Sequence, residues 1–239
     1  MKGLKFLTGV LCATMLLSSC NMSNKAKGGL IGAAGGGAAG AGIGAGIGAL
    51  VGGKSGAKLG AAIGAGVGVA AGTTAGVLIG KKMDKAKAAA AAIAQAETFT
   101  DANGLEGVKV TFDNGILFQV GKSALQSSAQ TSLKQFANNV LNVYTDCDVN
   151  IYGFASSDGS EATNLSLSQA RAAAVANYLT GNCGVNKAQV KTTTGFGEDP
   201  NYLIMDANGK EDLKASRRVE VYLYASEAMI EAANNGTLK

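Results

Sequence analysis

Gly153-Phe-Ala-Ser-Ser-Asp-Gly159-Ser-Glu-Ala-Thr-Asn164-Leu-Ser-Leu167-Ser168-Gln-Ala-Arg171-Ala172, continuing through Val175 to Tyr178-Leu179, is the stretch that decides the architecture. Val149 to Phe154, at its upstream edge, reads as a strand. Asp158 with Glu161 three residues later reads as a helix start, and the helix runs to about Leu179 before Gly181. On a helical wheel Leu167, Val175, Tyr178 and Leu179 form the apolar stripe, with Arg171 in its middle. Desolvating an unpaired guanidinium costs several kcal/mol, so Arg171 calls for a carboxylate. The protein offers Asp158, Asp199 or Glu220 for that role, and a ligand is the other source. The planar fork of the guanidinium suits a bidentate carboxylate contact.

Working outward, Val190 to Phe196 and Arg218 to Tyr224 read as further strands. Upstream, Val108 to Phe112 alternates, Asp113-Asn114-Gly115 is a turn, and Ile116 to Phe118 resumes as strand. Between them, Leu133, Phe136, Ala137, Val140 and Leu141 recur at helical spacing, with Ser127 or Ser128 as the expected cap. The expected order is β-α-β-α-β-β, an α+β domain with two helices on one face of a mixed sheet, over residues 105–225. Residues 226–239 are left as a C-terminal tail. In that topology Cys147 precedes one strand and Cys183 follows the helix returning from its far end, so both lie at one edge of the domain. A Cys147–Cys183 disulfide is expected there, with two buried free thiols as the alternative.

Composition removes several classes of function. The 239 residues contain no His, which excludes Ser-His and Cys-His nucleophile pairs and most imidazole metal sites. No paired-carboxylate context or nucleophile motif appears, so an enzyme is not expected, nor any cofactor or metal. Of 21 basic residues, Lys2 and Lys5 lie in the first 19 positions, and the rest nearly balance 17 acidic ones. That balance argues against a nucleic-acid stripe.

The N-terminal third is of another kind. Two lysines, an apolar run from Phe6 to Leu17, and Leu17-Ser18-Ser19-Cys20 have the layout of an export signal, 1–19, that ends in a lipobox-like sequence. Cleavage before Cys20 and acylation of its thiol would leave a lipid-anchored chain with a short tether, 20–27. From Gly28 to Gly80, 21 of 53 residues are Gly, and every fourth residue is Gly without a break. A helix of this kind costs about 1 kcal/mol per Gly relative to Ala in water, and close helix approach in lipid offsets that cost. Two uncharged stretches flank Gly53-Lys54-Ser55-Gly56-Ala57-Lys58, which predicts a Gly-rich helical hairpin in the bilayer over 28–80. The Ala-rich, charged Lys81 to Glu97 then reads as a short helix within a linker, 81–104.

The quoted stretch resembles the signature of OmpA-like domains, with the spaced elements G, G, N, LS, RA, V and YL all present. Gly195-Phe-Gly197-Glu198 and Ser216-Arg217-Arg218-Val219-Glu220 resemble two later blocks of that family, with Ser in place of Asn in the second. The glycine row resembles the zipper segments of bacterial outer-membrane lipoproteins. Together these resemblances imply an outer-membrane lipoprotein with a periplasmic domain that binds peptidoglycan non-covalently through the diaminopimelate of its stem peptide. They assign the ligand to Arg171 and Asn164, with Arg217 and Arg218 as further candidates. The family's Asp in the loop after the second strand is Ser156 here, and Asp158 lies two residues on. A neutral hydroxyl cannot pair an ammonium, and one charge-assisted bond of about 1.5–3 kcal/mol is worth roughly ten- to hundredfold in affinity. An alternative places the function in the glycine zipper itself, as a helical homo-oligomer acting on the membrane. Chemical crosslinking in membranes should then trap multimers, and a purely monomeric pattern would remove that reading.

Overall fold

The computed structural model describes residues 72–101 and 104–238. The signal, Cys20, the tether and the expected hairpin up to residue 71 lie outside the described residues. Thirteen elements follow in chain order, of which five are strands: α1 (Thr74–Ala91), β1 (Gln95–Thr100), β2 (Glu106–Asp113), α2 (Asn114–Leu117), α3 (Ser127–Phe136) with a π-helical turn Ala137–Leu141, β3 (Cys147–Phe154), α4 (Glu161–Asn182), a 3₁₀ turn Lys187–Gln189, β4 (Val190–Gly195), α5 (Leu213–Ser216), β5 (Arg218–Ala225) and α6 (Glu227–Asn234). The strands form one mixed sheet in the order β1-β2-β5-β3-β4, antiparallel except for the parallel pair β3–β4 that α4 connects.

Strand alternation sends Val108, Val110 and Phe112, Val149 and Ile151, and Val219, Val221 and Leu223 to a single buried face. Helices α1, α3, α4 and α6 close over it through Ile79 and Met83, Leu133 and Phe136, Val175 and Leu179, and Met229 and Ile230. The other face carries an aromatic layer in which Tyr152 meets Phe196 and Tyr222, and Phe154 meets Phe196 and Tyr202, with ring centroids 5.2–5.5 Å apart.

Two glycines set how closely α4 lies on the sheet. A Cβ at Gly153 would run into the carbonyl oxygen of Ser168, and one at Gly195 into the backbone nitrogen of Gln169. With that approach Ser168 Oγ accepts from Gly197 N at 2.9 Å, and the Gln169 amide bonds the outer edge of β4 at Gly195 N (2.7 Å) and Thr193 O (3.3 Å). The α4 cap is Ser160 rather than Asp158: its Oγ accepts from Thr163 N at 3.3 Å.

The sheet, the two central helices and the strand positions agree with the sequence-based expectation, and the boundaries differ in four places. Ile116 to Phe118 does not resume as strand, because the Asp113 side chain accepts from Gly115 N at 2.6 Å and starts the helical turn α2. Neither Ser127 nor Ser128 caps α3; Gln126 holds that position without a side-chain cap bond. The expected linker helix begins earlier and ends sooner. It starts at Thr74, capped by Thr73, stops at Ala91, and gives way to edge strand β1. Ala75, Ile79, Met83, Ala86 and Ala90 form its buried stripe, so α1 belongs to the domain core. Its apolar face consists mainly of small residues, which gives a weak periodic signal in the sequence. The expected tail likewise contains α6, capped by Ser226. Among the described residues no helix is long and apolar enough to cross a membrane.

Truncating Ile79 to Ala should cost about 2–5 kcal/mol, measured by chemical denaturation, because the residue is fully buried. A linker residue would show almost no effect. Gly195→Ala should be comparably harmful, since its new atom meets backbone rather than a flexible side-chain end.

Candidate functional site

The N-terminal half of α4 and the loop before it build a polar cluster at the end of β3. On α4 the buried face is Asn164, Ser168, Arg171, Ala172, Val175, Ala176 and Leu179; its first half is polar and only its second half belongs to the apolar core. Leu167 lies at the border of this face, half-buried.

Asn164 is the organiser. Its Nδ2 donates to the carbonyl oxygens of Ser156 (3.1 Å) and Asp158 (2.8 Å) and to the carboxylate of Glu198. One side-chain amide thus holds both ends of the Ser156–Asp158 loop and ties them to the Gly197-Glu198 turn. From the other side Glu211 accepts from Ser157 N at 3.2 Å and from its hydroxyl at 2.5 Å. Arg217 reaches across from the residue before β5, donating through Nη1 to Asp158 Oδ2 at 3.1 Å and to Ser156 Oγ at 3.3 Å.

Arg171 is 2% exposed. Its Nε donates to the Lys122 carbonyl at 3.0 Å, and its guanidinium carbon lies 5.5 Å from the centroid of the Phe118 ring. Among the described residues no carboxylate pairs with it. Each of the three acids considered from the sequence is engaged elsewhere. Asp158 is held by Arg217, Glu220 by Arg218, and Asp199 accepts from Asn201. Burial, reinforced by the nearby charge of Arg217, pushes the guanidinium down to about 10, which leaves it cationic at neutral pH.

Arg218 differs from Arg171 in having internal partners. It is buried, with Nε 2.7 Å from Glu220 Oε1, Nη1 bonded to the carbonyls of Tyr202 and Ser216 at 3.1 Å each, and its guanidinium 4.1 Å from the Phe154 ring centroid. Its Nε and Nη1 donors are engaged inside the protein. The alternation of side chains at the start of β5 separates the two arginines: Arg218 turns into the aromatic face and Arg217 reaches the loop.

The disulfide is also corrected. Cys147 and Cys183 are both free, buried thiols. Cys147 opens β3 with Lys82, Asp146 and Asp148 as electrostatic neighbours, whereas Cys183 ends α4 beside Tyr178 and Lys134. Placement at one edge of the domain did not bring the two sulfurs together. Burial pushes the Cys147 thiol up to about 12 and raises that of Cys183, so both are protonated at neutral pH. Glu198, Glu211, Phe118 and the Lys122 carbonyl were not identified from the sequence as parts of the cluster. Glu198 stood in the quoted Gly195–Glu198 block and was within reach of such a reading; Glu211 and Lys122 carried no signal.

Residues 117–227 match the OmpA family model. Outer membrane protein P5 of Haemophilus influenzae strain Rd is 31% identical over 134 residues, which cover 55% of this chain and 36% of that protein. The chain thus spans about a third of the length of the curated relatives it matches. Similar solved structures include a MotB-like protein from Desulfovibrio vulgaris (22% identity, TM-score 0.49, 64% of this chain and 92% of that one). The cell wall anchor of the T6SS from Pseudomonas aeruginosa (23%, 0.44, 57% and 90%) is another. The peptidoglycan-associated lipoprotein from Burkholderia pseudomallei (26%, 0.38, 46% and 88%) is a third. The chain carries a C-terminal OmpA-like domain, homologous to part of outer membrane protein P5.

Asn164→Ala should free two loop carbonyls and Glu198 at once. The expected cost is about 1–3 kcal/mol, read as a lower denaturation midpoint, together with faster amide exchange at Ser157 and Gly159. Unchanged exchange there would show that Asn164 does not hold the loop.

Proposed function

We propose that this domain binds peptidoglycan non-covalently, seating a carboxylate of the stem peptide, that of diaminopimelate, on Arg171. The observation that carries this reading is a buried, charged guanidinium with no carboxylate partner among the described residues. Desolvation makes such a group costly in the free protein, and an arriving carboxylate recovers that cost through charge-assisted hydrogen bonds. The Nη groups of Arg171 make no hydrogen bond among the described residues, so the fork retains its donors. Asn164 supports the reading by shaping the loop, where Arg217 bonds Ser156 and Asp158 and its charge acts on Arg171. The OmpA family match over residues 117–227 supports the same reading.

With acylation at Cys20 and the glycine row at 28–80, the chain would tie an outer membrane to the wall, its domain on the periplasmic side and its role structural rather than catalytic. Any deletion that tests the glycine row separately must stop before Gly72, because Ala75 and Ile79 are core residues.

The test is co-sedimentation of the detergent-solubilised full-length chain with purified sacculi. Arg171→Ala should weaken binding roughly ten- to hundredfold, the worth of one or more charge-assisted bonds, without lowering stability, because an unpaired buried charge is removed. Arg171→Lys should recover only part of the affinity, since an ammonium lacks the bidentate geometry. A folded Arg171→Ala chain that sediments like the wild type would sink the assignment.

A further inference from the structure

The two edges of the sheet differ in what covers them. At β4 the Gln169 side chain bonds the outer backbone at Thr193 O and Gly195 N. At β1, among the described residues, no hydrogen bond reaches the outer backbone edge. This strand pairs with β2 over Gln95–Thr100 in unbroken register, with no bulge and no proline. Its one charged side chain, Glu97, is already paired with Lys109 at 2.9 Å. An uncovered row of N–H and C=O groups of this kind is a template for another strand, and the side chains around it select which one.

Helix α1 lies over β1 and β2 and runs antiparallel to β1. Lys87 Nζ bonds Thr98 Oγ1 at 2.9 Å, whereas Gly80 lies against Glu106, the β2 partner of Thr100. The side of α1 above the free edge therefore carries Lys87 and Gly80, and helical spacing adds Asp84 to it. Asp84 is exposed and forms no ion pair among the described residues. A second copy, added antiparallel at β1 by a two-fold axis normal to the sheet, meets this side with its own equivalent. Paired strands lie about 4.8 Å apart, so helices centred above β1 and β2 in each copy come to about 10 Å, a helix-packing distance. Gly80 leaves room for that approach. The two α1 helices then run antiparallel, which offers Asp84 of each copy to Lys87 of the other.

Charge also selects the register. The two pairings of β1 with the longest overlap centre on Glu97 or on Thr98. The first sets two carboxylates directly opposite, which is destabilising. The second sets Thr98 on Thr98 and Glu97 on Phe99, with no like charges opposed in the strand. We infer that β1 is a homodimerisation edge: two copies join antiparallel through β1, centred on Thr98, with α1 packed on α1 and Asp84 paired with Lys87 across the axis. This interface is independent of the peptidoglycan reading and of the glycine row before residue 72.

The experiment is oxidative crosslinking of the full-length chain in detergent, with the wild type, whose described cysteines are buried, as background. Thr98→Cys should give a disulfide-linked dimer, because side chains directly opposite across an antiparallel pair lie within disulfide reach. The exposed Asn138→Cys, on the π-helical turn, should stay at background. In sedimentation equilibrium, Asp84→Lys should weaken the dimer about tenfold, since two surface pairs are lost and like charges face each other. Asp84→Lys combined with Lys87→Asp should restore it. Equal trapping at Asn138 and Thr98, or a monomer at every concentration, overturns the proposal. If Thr98→Cys fails to fold, the charge exchange decides alone, and a dimer that it leaves unmoved is joined elsewhere and also overturns the proposal.

Discussion

Helix α4 can lie against β3 and β4 only because Gly153 and Gly195 have no Cβ. Backbone atoms of Ser168 and Gln169 occupy the space those side chains would take. This close packing brings Ser168 Oγ to the Gly197 amide and the Gln169 side chain to the free edge of β4. The edge strand is then bonded on its outer side at Thr193 and Gly195, which shortens the open template for pairing with another chain. It also brings Asn164, one turn before Ser168, to the loop at the end of β3, and Arg171, one turn after it, to the Lys122 carbonyl. A helix standing one side chain further out would deliver none of these groups, so the polar cluster is a consequence of helix-to-sheet distance.

The two buried arginines show how one fold uses the same side chain in two ways. Arg218 has a carboxylate, two carbonyls and an aromatic face. Its desolvation is compensated internally, and it joins β5 to the loop that carries Tyr202. Arg171 has one carbonyl and one ring. Among the described residues no acid pairs with its desolvated charge, and the charge of Arg217 adds to the effect of burial. A protein selected only for stability would replace such a group with an apolar residue. A buried cation with no acid partner among the described residues is the physical basis for assigning a ligand to it.

The role of α1 changes how the domain relates to the segment before it. Gly76 and Gly80, the last members of the glycine row, lie within a helix whose other face supplies Ile79 and Met83 to the core. Sequence periodicity assigned them to a membrane hairpin, whereas in the fold they sit on a helix that contacts β1, β2 and α6. The globular unit therefore starts at the end of the glycine-rich segment, and Lys82 pairs there with Asp146 at 2.6 Å, just ahead of β3.

Much of this was legible in the chain itself. Residues 149–179 show strand, loop and helix in order, and Arg171 is conspicuous because a cation on an apolar stripe conflicts with hydrophobic periodicity. That conflict is local, and a one-dimensional pattern records it. The periodicity of β2, β3 and β5 is of the same kind, and so the sheet followed. Which acid meets which arginine is not local. Asp158, Asp199 and Glu220 were equivalent partners for Arg171 on paper; Glu220 is taken by Arg218 two residues along the same strand, and Asp158 by Arg217, 59 residues away, which only the folded chain brings to it. The same reason explains the cysteines: topology brought them to one edge of the domain, but bond formation depends on a few ångströms of side-chain placement. The earlier start of helix α1 and its place in the core were hidden because alanine buries little surface and marks a face weakly. The sequence by itself determined the central strands and helices and the buried arginine, since these are written in spacing along the chain. Only the tertiary structure decided that this arginine has no acid beside it among the described residues, because pairing is a matter of distances between segments that are remote in sequence.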